Sequence, residues 1–389
     1  MSQKPDITDL TICRAAFAAW VFIYHVDLHL HFSAWLGPAA GLVRHGYMGV
    51  DGFFILSGLI LMHSHPEFRV PKMDTSKPEL LWPKADDVLR FYGKRLARIY
   101  PVHLATILLL LALLGGGAAL GLAPQAPQRF GLLALLQNLL LIQGWGWEPF
   151  GAWNYPSWSI STEWAGYLLF PFLASLLCYL MRLVSLQLLV LMFPIMGIIY
   201  FASGHTLNMT YSSGLLRFIP EFLAGITTYR ITPVVADYAF TRLLFLWAGL
   251  ACLLLGGLLG VDLAAVLGLW SVLFAFYMQA DAQRPPVLGS RPALRFLGLL
   301  SYCFYMSFAI AELLTVQAFR YLGWQPTDQK LLFAAMMTGL TFILAILLRG
   351  FVEQPCRRAA KRWLQPVPEA APAAMPARAP ATEKPQSLF

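Results

Sequence analysis

An all-α polytopic membrane protein, a bundle of about ten transmembrane helices with a re-entrant segment and a disordered C-terminal tail, is the fold class this sequence predicts. Of its 389 residues 58% are hydrophobic and only 12% charged. Mean hydropathy is +0.62, far above a soluble composition. Apolar runs of about 20 residues recur from end to end and leave no stretch for a soluble catalytic domain. The 28 Lys and Arg against 20 Asp and Glu, formally +8, mark cytoplasmic loops rather than nucleic-acid binding.

Candidate spans lie near 11–31, 47–63, 99–120, 159–181, 184–202, 215–230, 240–259, 262–280, 296–319 and 330–350. An eleventh apolar run, from Phe130 to Ile142, is short for a span and ends in Gln143-Gly-Trp-Gly-Trp147. Charge arbitrates. The segment from Ser64 to Arg98 carries Arg69, Lys72, Lys77, Lys84, Arg90, Lys94, Arg95 and Arg98, which places it and the N-terminus on the cytoplasmic side. Arg349, Arg357, Arg358, Lys361 and Arg362 place the C-terminus there too. Two cytoplasmic ends require an even number of crossings. The connections near Arg182, 230–242 and 284–295 are then cytoplasmic only if 130–146 does not cross. That piece is read as re-entrant or interfacial, with Trp145, Trp147 and Trp153 at the outer interface.

The first helix is read as retained, since only Lys4 precedes Asp6 and Asp9 and no small-residue cleavage site follows the apolar run. Residues 1–364 form one membrane domain. The Pro/Ala-rich residues 365–389 cannot bury enough apolar area to offset ordering entropy and are expected as a disordered cytoplasmic tail. The loop from His65 to Asp87 is also rich in Pro and Lys. Cys13, Cys178, Cys252, Cys303 and Cys356 make neither a disulfide framework nor a zinc spacing. No internal repeat of the kind carriers often show is visible.

Ionisable residues inside spans are expensive and usually face a cavity or a partner, so Arg14, His25, Asp51, Glu163, Arg217, Glu221 and Glu312 are the functional leads. Arg14 and His25 are almost three helical turns apart, about 16 Å along one face, where one cavity can contact both. The bland alternative is an Arg14 that snorkels and a His25 that hydrogen-bonds between helices. His29 is read as interfacial, because a lone His-x3-His offers a metal too few ligands; no metal is expected. Gly49, Gly52, Ser57 and Gly58 suit close helix approach, while Asp51 is expected to orient or charge the histidine. Arg95 and Arg98 sit on one helical face beside Tyr100-Pro101, satisfying the positive-inside rule and equally suiting a phosphorylated cytosolic ligand. Glu163 lies one turn deeper than Ser157 and Ser159, which have a ready reading as caps.

In their order along the chain these residues resemble the membrane-bound acyltransferase family three. The resemblance runs from about residue 6 to 356: Arg14 with ten residues before His25, the GVDGFFILSG segment, Arg95-x-x-Arg98 with Tyr100-Pro101, and Trp158-Ser-Ile-Ser-Thr-Glu163. Looser markers are Arg217-Phe-Ile-Pro-Glu-Phe-Leu-Ala-Gly225, Leu297-Gly-Leu-Leu-Ser-Tyr302 and Glu353-Gln-Pro355. The resemblance implies ten helices and transfer of an acyl group, usually acetyl, from acyl-CoA to an extracytoplasmic glycan. It implies contact of Arg95, Arg98 and Tyr100 with coenzyme A, and catalysis at His25. It also implies a bacterial inner-membrane location and a possible polysaccharide synthase or export complex as partner. One departure is Phe308, where relatives often carry a second histidine. Another is the tail after Leu364, too short for the esterase-like domain some relatives add, so transfer is expected to finish in the membrane domain or on a partner.

Chemically, a neutral His25 can act as general base on an acceptor hydroxyl or as nucleophile, with Asp51 or Glu163 fixing its tautomer and Arg14 stabilising the oxyanion; the general base is preferred. Two rivals of other classes are a proton-coupled exporter of glycans or anions, using His25, Asp51 and Glu163 as a relay, and a non-catalytic subunit of a polysaccharide-synthesis complex.

Overall fold

The computed structural model of the protein describes residues 7–69, 82–121, 126–147, 151–180, 182–233, 235, 239–289 and 291–364. The tail and much of the loop from His65 to Asp87 fall outside these residues. Thirteen α-helices and no strand are found among the described residues. In chain order they are α1 (Thr8–Leu30), α2 (Ala40–Arg44), α3 (Gly49–Ser64), α4 (Ala85–Ala119), α5 (Leu132–Leu139), α6 (Trp158–Tyr179) and α7 (Arg182–Ala202). There follow α8 (Gly214–Ile231), α9 (Ala239–Leu259), α10 (Asp262–Asp281), α11 (Pro292–Tyr321), α12 (Lys330–Leu347) and α13 (Gln354–Trp363).

Among the described residues nine helices are long and apolar enough to cross a membrane. The tenth expected span is α8, which carries Arg217, Glu221 and Arg230 within 18 residues and so falls short on composition alone. Arg217 and Glu221 face the bundle interior and not lipid, 1% and 0% exposed, and Arg217 is tolerated there because it is paired with Asp51 of α3. Large apolar side chains such as Leu108, Ile198, Phe201, Leu244 and Trp247 point outward instead, as lipid contact requires.

Short α5 explains why the eleventh apolar run does not cross. Eight residues span only about 12 Å, and the chain returns to where it entered. The Trp153 backbone N–H donates to the Arg129 carbonyl at 3.0 Å, and the Trp153 indole N–H donates to the Gly131 carbonyl at 3.2 Å. Trp153 is buried by this closure, whereas Trp147 is 67% exposed.

α1 and α11 run in the same direction. Asp9 at the start of α1 accepts the Val287 and Leu288 backbone N–H groups that precede α11. Near the other ends of α1 and α11, His29 meets Glu312 at 2.8 Å. The starts of α1, α4 and α11 and the end of α12 thus share one face, here termed the basic face, on which α13 also lies.

The α3–α8 contact sets the middle of the bundle. A Cβ at Gly58 would come within 2.1 Å of the Phe222 carbonyl oxygen, and one at Gly225 within 2.0 Å of that of Ile55. These glycines let the two backbones touch, Gly49 does the same against the Phe17 carbonyl of α1, and Gly52 makes room for the Phe17 ring. Gly225→Val should therefore destabilise the protein by about 1–3 kcal/mol through overpacking, read as a lowered melting temperature in detergent, whereas Gly339→Val, at a position with open space, should not.

Candidate active site

Two cavities lie back to back inside the bundle. The cavity towards the basic face, about 470 Å³, is lined by Arg14, Lys94, Arg95, Arg98, Arg357 and Lys361, with Glu163 as the one acidic lining residue among the described residues. The opposite cavity, about 670 Å³, holds His25, Tyr155, Arg129, Tyr211 and Glu312. Val50 and Tyr305 line both and form the partition between them. Tyr305 is held there: its hydroxyl donates to the Pro156 carbonyl at 3.1 Å and accepts from Ser159 Oγ at 3.0 Å.

In the basic cavity Arg95 and Arg98 share a helical face, as their spacing predicts. Arg95 packs over the rings of Phe91 and Tyr167, at 5.5 and 5.8 Å, and its buried Nε has no hydrogen-bond partner. Arg98 faces Glu353 at 3.9 Å. That carboxylate, 2% exposed, also meets Arg349 at 3.7 Å and Arg357 at 3.2 Å. A π-helical turn, Leu348–Glu353, precedes α13; such turns are frequent at functional sites.

Tyr100 does not join the arginines. Two residues beyond Arg98 is 200° around an α-helix, and its hydroxyl donates to the Leu139 carbonyl at 3.0 Å, fastening α5 to α4. Glu163 accepts hydrogen bonds from Ser57 Oγ at 2.8 Å and from the Tyr167 hydroxyl at 2.5 Å. It belongs to the basic cavity and not to the histidine. Arg14 lines that cavity too, its Nε donating to Ser301 Oγ at 3.4 Å. The single cavity expected to hold both Arg14 and His25 is therefore divided in two, because Val50 and Tyr305 project between them.

Asp51 has a different partner from the one expected. Its carboxylate, fully buried, receives Arg217 Nε at 2.8 Å and Arg217 Nη2 at 2.5 Å, a bidentate pair linking α3 to α8. A guanidinium offers the planar fork that a carboxylate matches best, so Arg217 takes Asp51 and leaves His25 to another group. That group is Tyr155, backed by Glu312. The Tyr155 hydroxyl lies 3.1 Å from His25 Nδ1 and donates to Glu312 Oε2 at 2.5 Å, while Glu312 Oε1 meets His29 Nε2 at 2.8 Å. A tyrosine hydroxyl has one proton. With that proton given to the carboxylate, Tyr155 Oη can only accept from Nδ1–H, so the lone pair of His25 sits on Nε2. Arg129 lies over the Tyr155 ring at 5.3 Å, and Phe308 lies 4.8 Å from the His25 ring centroid, covering one face of the imidazole.

The acyltransferase-domain family Acyl_transf_3 matches residues 7–350. The chain belongs to this acyltransferase family. It is also similar to an "Acyltransferase MdmB" of Streptomyces mycarofaciens, 33% identical over 174 residues, 43% of this chain and 38% of that protein. The chain thus spans well under half the length of that curated relative. No solved structure matches. The Acyl_transf_3 match takes in both cavities except for α13, which adds Arg357 and Lys361 from beyond its end.

Removing Arg217 strands the buried Asp51 carboxylate, which costs about 3–5 kcal/mol, whereas Arg217 left without Asp51 still faces the buried Glu221 carboxylate. Arg217→Ala should therefore lower the melting temperature in detergent more than Asp51→Ala, and the double variant should lose less than the two single losses added together.

Proposed function

We propose that the protein transfers an acyl group, acetyl in the first instance, from cytoplasmic acyl-CoA to a hydroxyl of an extracytoplasmic glycan. Exopolysaccharide chains such as cellulose, or lipopolysaccharide sugars, fit as acceptors. The chain sits in the bacterial inner membrane with its basic face and both termini cytoplasmic, following the Lys and Arg bias of that face. The carrying observation is the pair of cavities meeting at Tyr305, one cationic and the other holding an imidazole with a free lone pair.

The residues of the basic cavity suit a polyphosphorylated donor. Six cationic side chains line it, two of them, Arg98 and Arg357, facing Glu353, and the unpartnered Arg95 Nε is a buried donor that a phosphate oxygen would satisfy. The donor, when bound, supplies an activated thioester carbonyl. His25 Nε2 takes the proton of the acceptor hydroxyl as the new C–O bond forms and the C–S bond breaks, then returns it to the departing thiolate. Tyr155 and Glu312 fix the tautomer and stabilise the imidazolium, as an acidic partner does for the histidine of a catalytic triad. The reacting ends meet only when Tyr305 leaves its hydrogen bonds to Pro156 and Ser159, which makes the partition a barrier to hydrolysis while one cavity is empty.

In proteoliposomes with radiolabelled acetyl-CoA and a panel of glycans, His25→Ala should abolish transfer, and Tyr155→Phe should lower kcat by about 10²-fold, the scale of general-base assistance. Arg95→Ala/Arg98→Ala should raise KM for the donor with a smaller effect on kcat. Undiminished transfer by His25→Ala would refute the reading.

A further inference from the structure

Arg95 is oriented by a turn that neither cavity contains. After α3 ends, Pro66, Glu67 and Phe68 form one 3-10 turn. Arg69 fixes that turn to the helix by donating from Nε to the Met62 carbonyl at 2.9 Å and from Nη2 to the His63 carbonyl. Within it His65 is buried, 6% exposed, its ring edge-on to Phe91 at 4.9 Å and beside Phe68 and Phe170. Two polar contacts leave this apolar socket: Nδ1 meets Glu67 Oε1 at 2.7 Å, and Nε2 meets Arg95 Nη2 at 2.7 Å.

These contacts allow one protonation state. A guanidinium has only donors and stays protonated, so the His65 Nε2 facing it must carry a lone pair. The Glu67 carboxylate accepts, so Nδ1 carries the hydrogen. We propose that His65 is a positioning residue for donor binding: as a neutral imidazole locked by Glu67, it holds the Arg95 guanidinium in place at the basic cavity and lets go when protonated. This rests on the donor site described under Proposed function. Among the described residues the charged groups around the ring are Glu67 beside it on the turn and Arg95 and Lys94 on α4. Burial, with the Arg95 and Lys94 charges, keeps the imidazole below its ordinary value of 6.5, against the pull of Glu67. His65 is therefore neutral at physiological pH. As pH falls through its lowered value it becomes a double donor, facing Arg95 with N–H against N–H.

The test uses the full chain in nanodiscs with two readouts. Nitrogen-15 NMR of labelled histidine, with His65→Gln to assign the signals, reads the tautomer without any donor. Coenzyme A binding is then measured from pH 8 down to pH 5 for wild type, His65→Gln, which keeps an acceptor that does not titrate, His65→Phe, which keeps the ring in its socket, and Arg95→Ala. Expected are a lone pair on Nε2 at neutral pH, wild-type affinity that falls on acidification, a flatter profile for His65→Gln, and about tenfold weaker binding by His65→Phe at pH 8. A proton on Nε2 at neutral pH overturns the proposal, and so does wild-type affinity in His65→Phe while Arg95→Ala is weakened. The predicted tautomer together with no coenzyme A binding in the wild type supports the His65–Arg95 contact and counts against the donor reading instead.

Discussion

An ionised side chain inside a bilayer needs a partner, and in this protein the Asp51–Arg217 pair is the one on which the rest of the interior depends. It joins α3 to α8 at the point where Gly58 and Gly225 let the backbones touch. Because a bidentate guanidinium satisfies the carboxylate outright, Asp51 is withdrawn from the histidine. Buried pairs of this kind contribute little net stability against an apolar substitute, yet are costly to break. The pair fixes which face α3 turns to its neighbours, and so which side chains remain for the two cavities.

What remains is sorted by height in the membrane. Cations that reach the basic face collect around one cavity, with Glu353 on a π-helical turn neutralising the inner edge of the arginine cluster. On the other side of Tyr305 the chain spends its polar groups on a relay of Glu312, Tyr155 and His25. A hydrogen bond from Tyr155 to a carboxylate is strong in a low-dielectric interior, which is why the Nδ1–H tautomer of His25 is the one selected. Val50 and Tyr305 separate a cationic chamber from a basic nitrogen.

Much of this was legible in the sequence, and the parts that were not share one cause. Apolar run lengths located the helices and showed Phe130–Ile142 to be too short to cross, because each is a property of one segment. Arg95 and Arg98 were legible for the same reason, three residues apart on one helix. The partners of His25 were not. Glu312 stands 287 residues away and Tyr155 130 away, and nothing in a local pattern joins them. Asp51 was misassigned because its height in the membrane suited His25, whereas its direction around α3 faces Arg217. Tyr100 was grouped with the arginines by a motif, although the helical period sends it to the opposite side. Glu312 is visible in the sequence as a carboxylate within a span, which marks it as polar and functional but does not name its partners.

The proposed mechanism requires the two cavities to become one at Tyr305 during turnover, so that a donor anchored by Arg95 and Arg98 presents its acyl end to His25. Bromoacetyl-CoA, an electrophilic acyl donor of the same charge, tests this directly when the labelled protein is digested and sequenced by mass spectrometry. Alkylation of His25 that disappears in Arg95→Ala/Arg98→Ala and in excess coenzyme A is the outcome the mechanism demands. Coenzyme A-protected labelling confined to Lys94 or Lys361, with His25 untouched during active turnover, would contradict it.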